Sequence, residues 1–146
     1  MAAPMNLQSL SDKIVRTRVS SVLNKDVKQF GKKHLFDGDE ETCWNSDQGS
    51  PQWIVVEFSE SVPVSQLDIQ FQGGFVGKTC WVEAIQSGQE SFVRLHSFFP
   101  QDINQIQNFP LPDTGSSLSS LKIVFDSSTD FFGRITIYKL EILGAS

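Results

Sequence analysis

The acidic turn Asp37-Gly38-Asp39, followed by Thr42 and Trp44, holds the side chains of this chain best suited to a metal ion. Calcium takes about six to eight oxygens at roughly 2.3–2.6 Å, so backbone carbonyls of the turn would have to complete its shell. The same residues have a second use. Asp37 or Asp39 can accept hydrogen bonds from backbone N–H groups as an Asx-type turn and helix cap, with no metal. Catalysis has less to work with. His34 and His96 are the only histidines, and neither sits in a nucleophile motif. His34 adjoins Lys32 and Lys33, so it is expected to be exposed. There is no glycine-rich phosphate loop and no zinc-ligand spacing. Cys43 and Cys80 each precede a tryptophan and read as small buried residues. No catalytic residue is assigned, and the chain reads as a non-enzyme.

Binding chemistry is better represented. Two stretches place apolar side chains beside glycine: Phe75-Val76-Gly77-Lys78 and Phe131-Phe132-Gly133-Arg134. Exposed aromatics on such loops form interface hot spots. The competing reading is that one of Phe131 and Phe132 plugs the end of a barrel as core. Arg134 has acids within reach of a structural clamp, Asp130 or Asp37.

These loops need a scaffold, and the chain reads as strands. Leu67, Ile69 and Phe71 alternate with Gln66, Asp68, Gln70 and Gln72, and Leu121, Ile123 and Phe125 recur at period two with Lys122 and Asp126. Trp53 to Phe58 is an apolar run. The expected core includes Trp53, Val55, Leu67, Ile69, Phe71, Ile123, Phe125 and Leu140. Val15 to Leu23 is a further strand candidate. Trp81 to Ile85 and Ser91 to Leu95 are weaker ones, joined by a Ser87-Gly88-Gln89 turn. In Ile135 to Leu143 the alternation changes phase once, from Ile135 and Ile137 to Tyr138, Leu140 and Ile142. Such a slip predicts a β-bulge or a strand shared between two sheets. No ten-residue stretch has a helical stripe, though short turns fit Lys33 to Phe36 and Glu40 to Trp44. Residues 1–12 lack periodicity and are expected to form a flexible tail, leaving residues 13–146 as one domain.

Composition narrows the function. At 146 residues, with 39% hydrophobic and 20% charged residues, the chain suits an ordinary globule with a real core. A net charge of −5 argues against a general nucleic-acid binder. The charge is uneven, however. Seven of the twelve Lys and Arg lie in the first 33 residues against Asp12 and Asp26, so that stretch carries +5 and the remainder −10. It is either a face that attracts an acidic partner or a solvated edge strand whose lysines discourage aggregation. No segment resembles a signal peptide or a membrane span. Two cysteines without a framework and no Asn-x-Ser/Thr acceptor favour a reducing compartment, cytoplasm or nucleus.

Three blocks together resemble the discoidin domain, or coagulation-factor type C domain, of the galactose-binding-like superfamily. They are Asp37 to Trp44; Gln52 to Phe58 with Val64 to Gln70; and Arg134 to Gly144. The resemblance implies an all-β fold, a discoidin-like jelly-roll β-sandwich, with ligand contacts on loops at one end. The matching loops are Asn24 to Gln29, Asn45 to Ser50, Gly73 to Lys78 and Asp130 to Arg134. The rim residues assigned for partner binding are Asn24, Lys25, Phe75, Val76, Lys78, Phe131 and Phe132. The resemblance also implies a structural calcium at Asp37, Asp39, Thr42 and Glu141 as an option; no cofactor is required. Neither cysteine lies near an end of the domain, unlike the usual disulfide of secreted members. The strings QFGKKHLFDGDEETCWNSDQG, QFQGGF and TDFFGR are similar to a nuclear-receptor-associated branch of the family.

That likeness implies a nuclear monomer whose partner is an orphan nuclear receptor, which it represses by keeping the receptor from its DNA element. Direct nucleic-acid or membrane binding is not expected. The alternative is a module for a glycan or a lipid headgroup, as in secreted relatives. No Leu-x-x-Leu-Leu motif occurs, so a receptor would be met by folded surface rather than by an amphipathic helix in its groove.

Overall fold

Residues 7–145 are described by a computed structural model, in which two antiparallel sheets face each other. The strands are β1 (Leu7–Ser9), β2 (Ile14–Val19), β3 (Trp44–Asn45), β4 (Gln52–Val62), β5 (Gln66–Phe71), β6 (Cys80–Gln86), β7 (Val93–Phe98), β8 (Gln107–Pro110), β9 (Leu118–Phe125) and β10 (Thr136–Ala145). One sheet runs β1-β10-β5-β8, with β3 also pairing β10. The other runs β2-β4-β9-β6-β7. The fold is the expected β-sandwich.

Period-two patterning explains the core. Leu67, Ile69 and Phe71 of β5 meet Leu121, Ile123 and Phe125 of β9 in one buried cluster, joined by Ile137, Leu140 and Ile142 of β10. Each such side chain removed from water contributes about 1.5–3 kcal/mol. Phe71 packs edge-on to Phe125 at 5.9 Å between ring centroids, and Trp44 lies 6.3 Å away on another side. The phase slip in the last strand is a real irregularity. The β10–β5 register pairs Ile137 with Phe71 and then Lys139 with Gln70, so Tyr138 is the extra residue of a bulge.

Two expectations fail here for physical reasons. In β4 the core register is Ile54, Val56 and Phe58, not Trp53 and Val55. Trp53 is half-buried on the outer face, where β9 Val124 lies between it and Trp81 of β6. Val55 is buried, but outside the inter-sheet cluster. An unbroken apolar run carries no period, so a one-residue slip inverts both faces. The tail is also shorter than expected. Residues 7–9 form β1, pairing Leu7 with Ala145 and Ser9 with Leu143, and residues 11–13 form a 3-10 turn. A three-residue strand is too short to show alternation; its order comes from β10 backbone groups. Residues 1–6 of the expected tail lie outside the described residues.

The remaining elements buttress one flank. A single helical turn, α1 (Val27–Phe30), is capped by Asp26, whose carboxylate accepts from the Gln29 N–H at 3.1 Å. A 3-10 turn over Lys32–Leu35 follows and drives Leu35 fully into the core. The expected turn at Lys33 to Phe36 is thus present, whereas Glu40 and Glu41 form only a non-helical turn.

Candidate functional site

The end of the sandwich carrying the Gly73–Lys78 and 127–134 loops presents two adjacent exposed aromatic side chains. Phe131 is 94% exposed and Phe132 53% exposed, their rings edge-to-face at 5.3 Å. Neither plugs the barrel. That role falls to Val76, which is fully buried; its N–H donates to the Thr129 hydroxyl at 3.0 Å. The expected placement of Val76 on an exposed rim is therefore corrected. It is the smaller β-branched side chain that fills the tapering end, and the larger rings are left outside. Phe75 is half-buried and Lys78 exposed.

Arg134 organises this cluster. Its guanidinium lies 5.2 Å from the Phe75 ring centroid and 5.6 Å from that of Phe132. Its Nε donates to Asp130 Oδ2 at 2.9 Å, and its own backbone N–H donates to the same oxygen at 3.1 Å. The hydrogen bond from Arg134 is the main reason the Asp130 carboxyl sits below the usual aspartate range. Of the two acids weighed for a clamp, Asp130 is the partner. Ser128 completes the loop: its hydroxyl donates to the Arg134 carbonyl at 2.7 Å and accepts from the Asp130 N–H at 3.0 Å.

Glycine is required at position 133. Its φ is +84°, and a Cβ there would stand 2.7 Å from the Gly49 carbonyl oxygen and 2.8 Å from Ser50 Oγ. The Gly49 N–H in turn donates to the Phe132 carbonyl at 2.8 Å. The 45–50 loop is itself held by Gln52, whose buried side-chain amide donates to the carbonyls of Asp47 (3.1 Å) and Gly49 (2.8 Å). Gln52 Oε1 accepts from the hydroxyls of Ser20 and Ser21. Gln52 was missed as a positioning residue. A glutamine in core phase with Ile54 and Val56 is the signal that marks it. Asn24 and Lys25 are exposed on the next turn, both in the left-handed region at φ 53° and 58°.

The result is a rigid tip: two exposed phenylalanines, a half-buried third, and an arginine whose charge Asp130 balances. It offers apolar area at low ordering cost, and no nucleophile–base pair is built into it. Asp130→Asn tests the clamp. Because the folded pKa of Asp130 is depressed, its contribution is present above the unfolded value near ~3.9 and is lost as pH falls through the folded value. Near neutrality the variant is expected to lose about 1 kcal/mol. The gap between urea midpoints should close in acid; a gap independent of pH would refute the clamp.

In the acidic turn the carboxylates accept hydrogen bonds from within the turn itself. Asp37 Oδ2 accepts from the Thr42 hydroxyl at 2.6 Å and from His34 Nδ1 at 3.0 Å, and Oδ1 accepts from the Asp39 N–H at 3.0 Å. Asp39 Oδ1 accepts from the Glu41 N–H at 2.9 Å. Burial pushes the Asp37 carboxyl up, but these donors together outweigh it and hold it below its ordinary range. Glu141 borders a depression near Gly38. Among the described residues no three His, Cys, Asp or Glu side chains converge on one point. These bonds make a self-capped turn; calcium would need about six to eight oxygens there, with Thr42 and backbone carbonyls of the turn among them. Melting curves in millimolar calcium and in chelator should superimpose; a calcium-dependent rise in Tm would restore the metal reading.

His34 is buried, contrary to the exposed position expected beside two lysines. Its Nε2 lies 3.0 Å from the Lys28 carbonyl, so the ring ties the acidic turn to α1. His96 is exposed on β7. Cys80 is buried within the core, and burial, aided by the charge of Asp126, pushes its thiol up to about 12. Such a thiol is inert.

The family model described as a NedA-like, galactose-binding domain of the F5/F8 type C group matches residues 34–115. A solved galactose complex of the family 32 carbohydrate-binding module of Clostridium perfringens NanJ superposes with a TM-score of 0.75, at 17% identity over 94% of this chain and 99% of that one. An F5/8 type C domain from Bacteroides fragilis gives 0.76 at 13% identity, covering 92% and 97%. Sequence relatives are far closer. The nuclear receptor 2C2-associated protein of Danio rerio is 55% identical over 94% of this chain and 96% of its own length. The human protein of that name is 52% identical over 88% and 90%. The sandwich and its capped loops are therefore those of an F5/F8 type C domain, and the chain belongs to the nuclear receptor 2C2-associated protein family.

Proposed function

We propose that this chain is a non-enzymatic protein-interaction module that binds a nuclear receptor of the 2C2 type through the Phe131–Phe132 tip. By occupying the receptor it keeps it from DNA response elements, and it does so in the nucleus. The names of its relatives support receptor association. The observation that carries the surface assignment is Phe131, 94% exposed on a loop locked by the Asp130–Arg134 clamp. A large apolar ring carried out into water on a clamped loop is suited to anchor an interface, where aromatic side chains supply most of the binding energy. Phe75 and Arg134 belong to the same cluster, and Lys78, Asn24 and Lys25 are exposed polar residues of the rim assigned to the partner.

The test uses the purified full chain and receptor. The chain should co-precipitate the receptor and, in a gel-shift titration, reduce its occupancy of a response element. Receptor binding that leaves the DNA complex intact would overturn the repression mechanism. Galactose or another glycan binding the tip, with no receptor binding, would overturn the whole reading.

A further inference from the structure

A groove of about 670 Å³ runs along β2, away from the aromatic cluster and built from none of its residues. Val19 and the outer-face ring of Trp53 line it, and Val27 of α1, 64% exposed, borders it. Arg18, Lys28 and Lys33 line it as well, and no acidic side chain among the described residues does. None of these three cations has an ion-pair partner among the described residues. Arg16 and Lys13 nearby are paired with Glu57 and Glu60 instead.

The walls are fixed rather than frayed. His34 bonds the Lys28 carbonyl, and the carboxylate of Asp26 is turned to the cap of α1. The Lys32 ammonium donates to the Thr17 carbonyl, which also closes part of the exposed edge of β2. The patch reverses the sign of the molecule: the first 33 residues carry +5, the rest −10. An acidic partner is thus repelled by most of the surface and attracted here.

We propose that this groove docks an acidic segment of a partner protein that also carries an apolar anchor. The anchor sits on Trp53 and Val27, and the flanking carboxylates meet Arg18, Lys28 and Lys33. The groove residues are separate from those of the tip, so the two surfaces can be occupied independently.

The probe is a short fluorescent peptide alternating glutamate and leucine, beside a version with glutamine for every glutamate. By anisotropy the acidic peptide should bind the full chain, and the glutamine version should bind about tenfold more weakly. Lys28→Glu with Lys33→Glu should cost about tenfold, because both side chains are exposed and their change leaves the core intact. Val27→Ser should cost several-fold, and Phe131→Ala nothing. No binding of the acidic peptide, or full affinity in the double charge reversal, would overturn the proposal. So would a Val27→Ser variant that binds as wild type, since attraction would then be charge alone. Binding to phosphatidylserine vesicles without peptide binding would assign the groove to a membrane surface instead.

Discussion

Phe125→Ala should cost about 3–5 kcal/mol, whereas Trp53→Ala should cost no more than about 1–2 kcal/mol. Phe125 is 1% exposed and central: Phe71 meets it edge-on, Trp44 approaches from the side, and Gly77 lies directly against its ring. Removing it leaves a cavity that three strands and a loop cannot close. Trp53, by contrast, faces outward from β4, covered in part by the Lys122 ammonium at 5.3 Å. Its loss exposes neighbours already near water. Urea unfolding of the two variants decides the matter. A larger loss for Trp53→Ala would mean that β4 carries the opposite register, and every β4 side chain would change face.

β5 was legible because it alternates between apolar and polar neighbours, and β9 because Leu121, Ile123 and Phe125 keep period two around Lys122 despite the apolar Val124. The bulge in β10 was legible because a single phase change has few structural causes. β4 was not, since Ile54, Val55 and Val56 are apolar on both faces; only Glu57, in phase with Trp53, hinted at the outer side. β1 and β8, at three and four residues, are too short to show a period and exist through their partners. At the tip, composition identified the two loops but not which side chain points inward. Val76 and Phe131 differ in exposure from 0% to 94% because of loop hydrogen bonds formed between positions far apart in the chain. Gln52 is hidden for the same reason, since it joins Ser20 and Ser21 to the 45–50 loop, whereas His34 is buried by purely local bonds to Asp37 and Lys28 that its lysine neighbours do not announce.

The tip itself gives the second large effect. Phe131→Ala with Phe132→Ala should weaken receptor binding about 30-fold, which corresponds to ~2 kcal/mol. Folding should be nearly untouched, because both rings are outside the core and the loop is held by Asp130, Ser128 and Arg134 rather than by ring packing. Val76→Ala is the contrasting change. It empties a fully buried position, so it should lower stability and leave affinity of the folded fraction close to wild type. Gly133→Ala separates geometry from chemistry. It keeps both rings but forces a left-handed position and a clash with the Gly49 carbonyl, so the loop must move. It should therefore weaken binding although no contacting side chain has changed. Isothermal titration against the receptor, with thermal melts on the same samples, reads all three. If the double phenylalanine variant binds as tightly as wild type while Lys28→Glu with Lys33→Glu abolishes receptor binding, the receptor occupies the basic groove and the tip assignment is wrong.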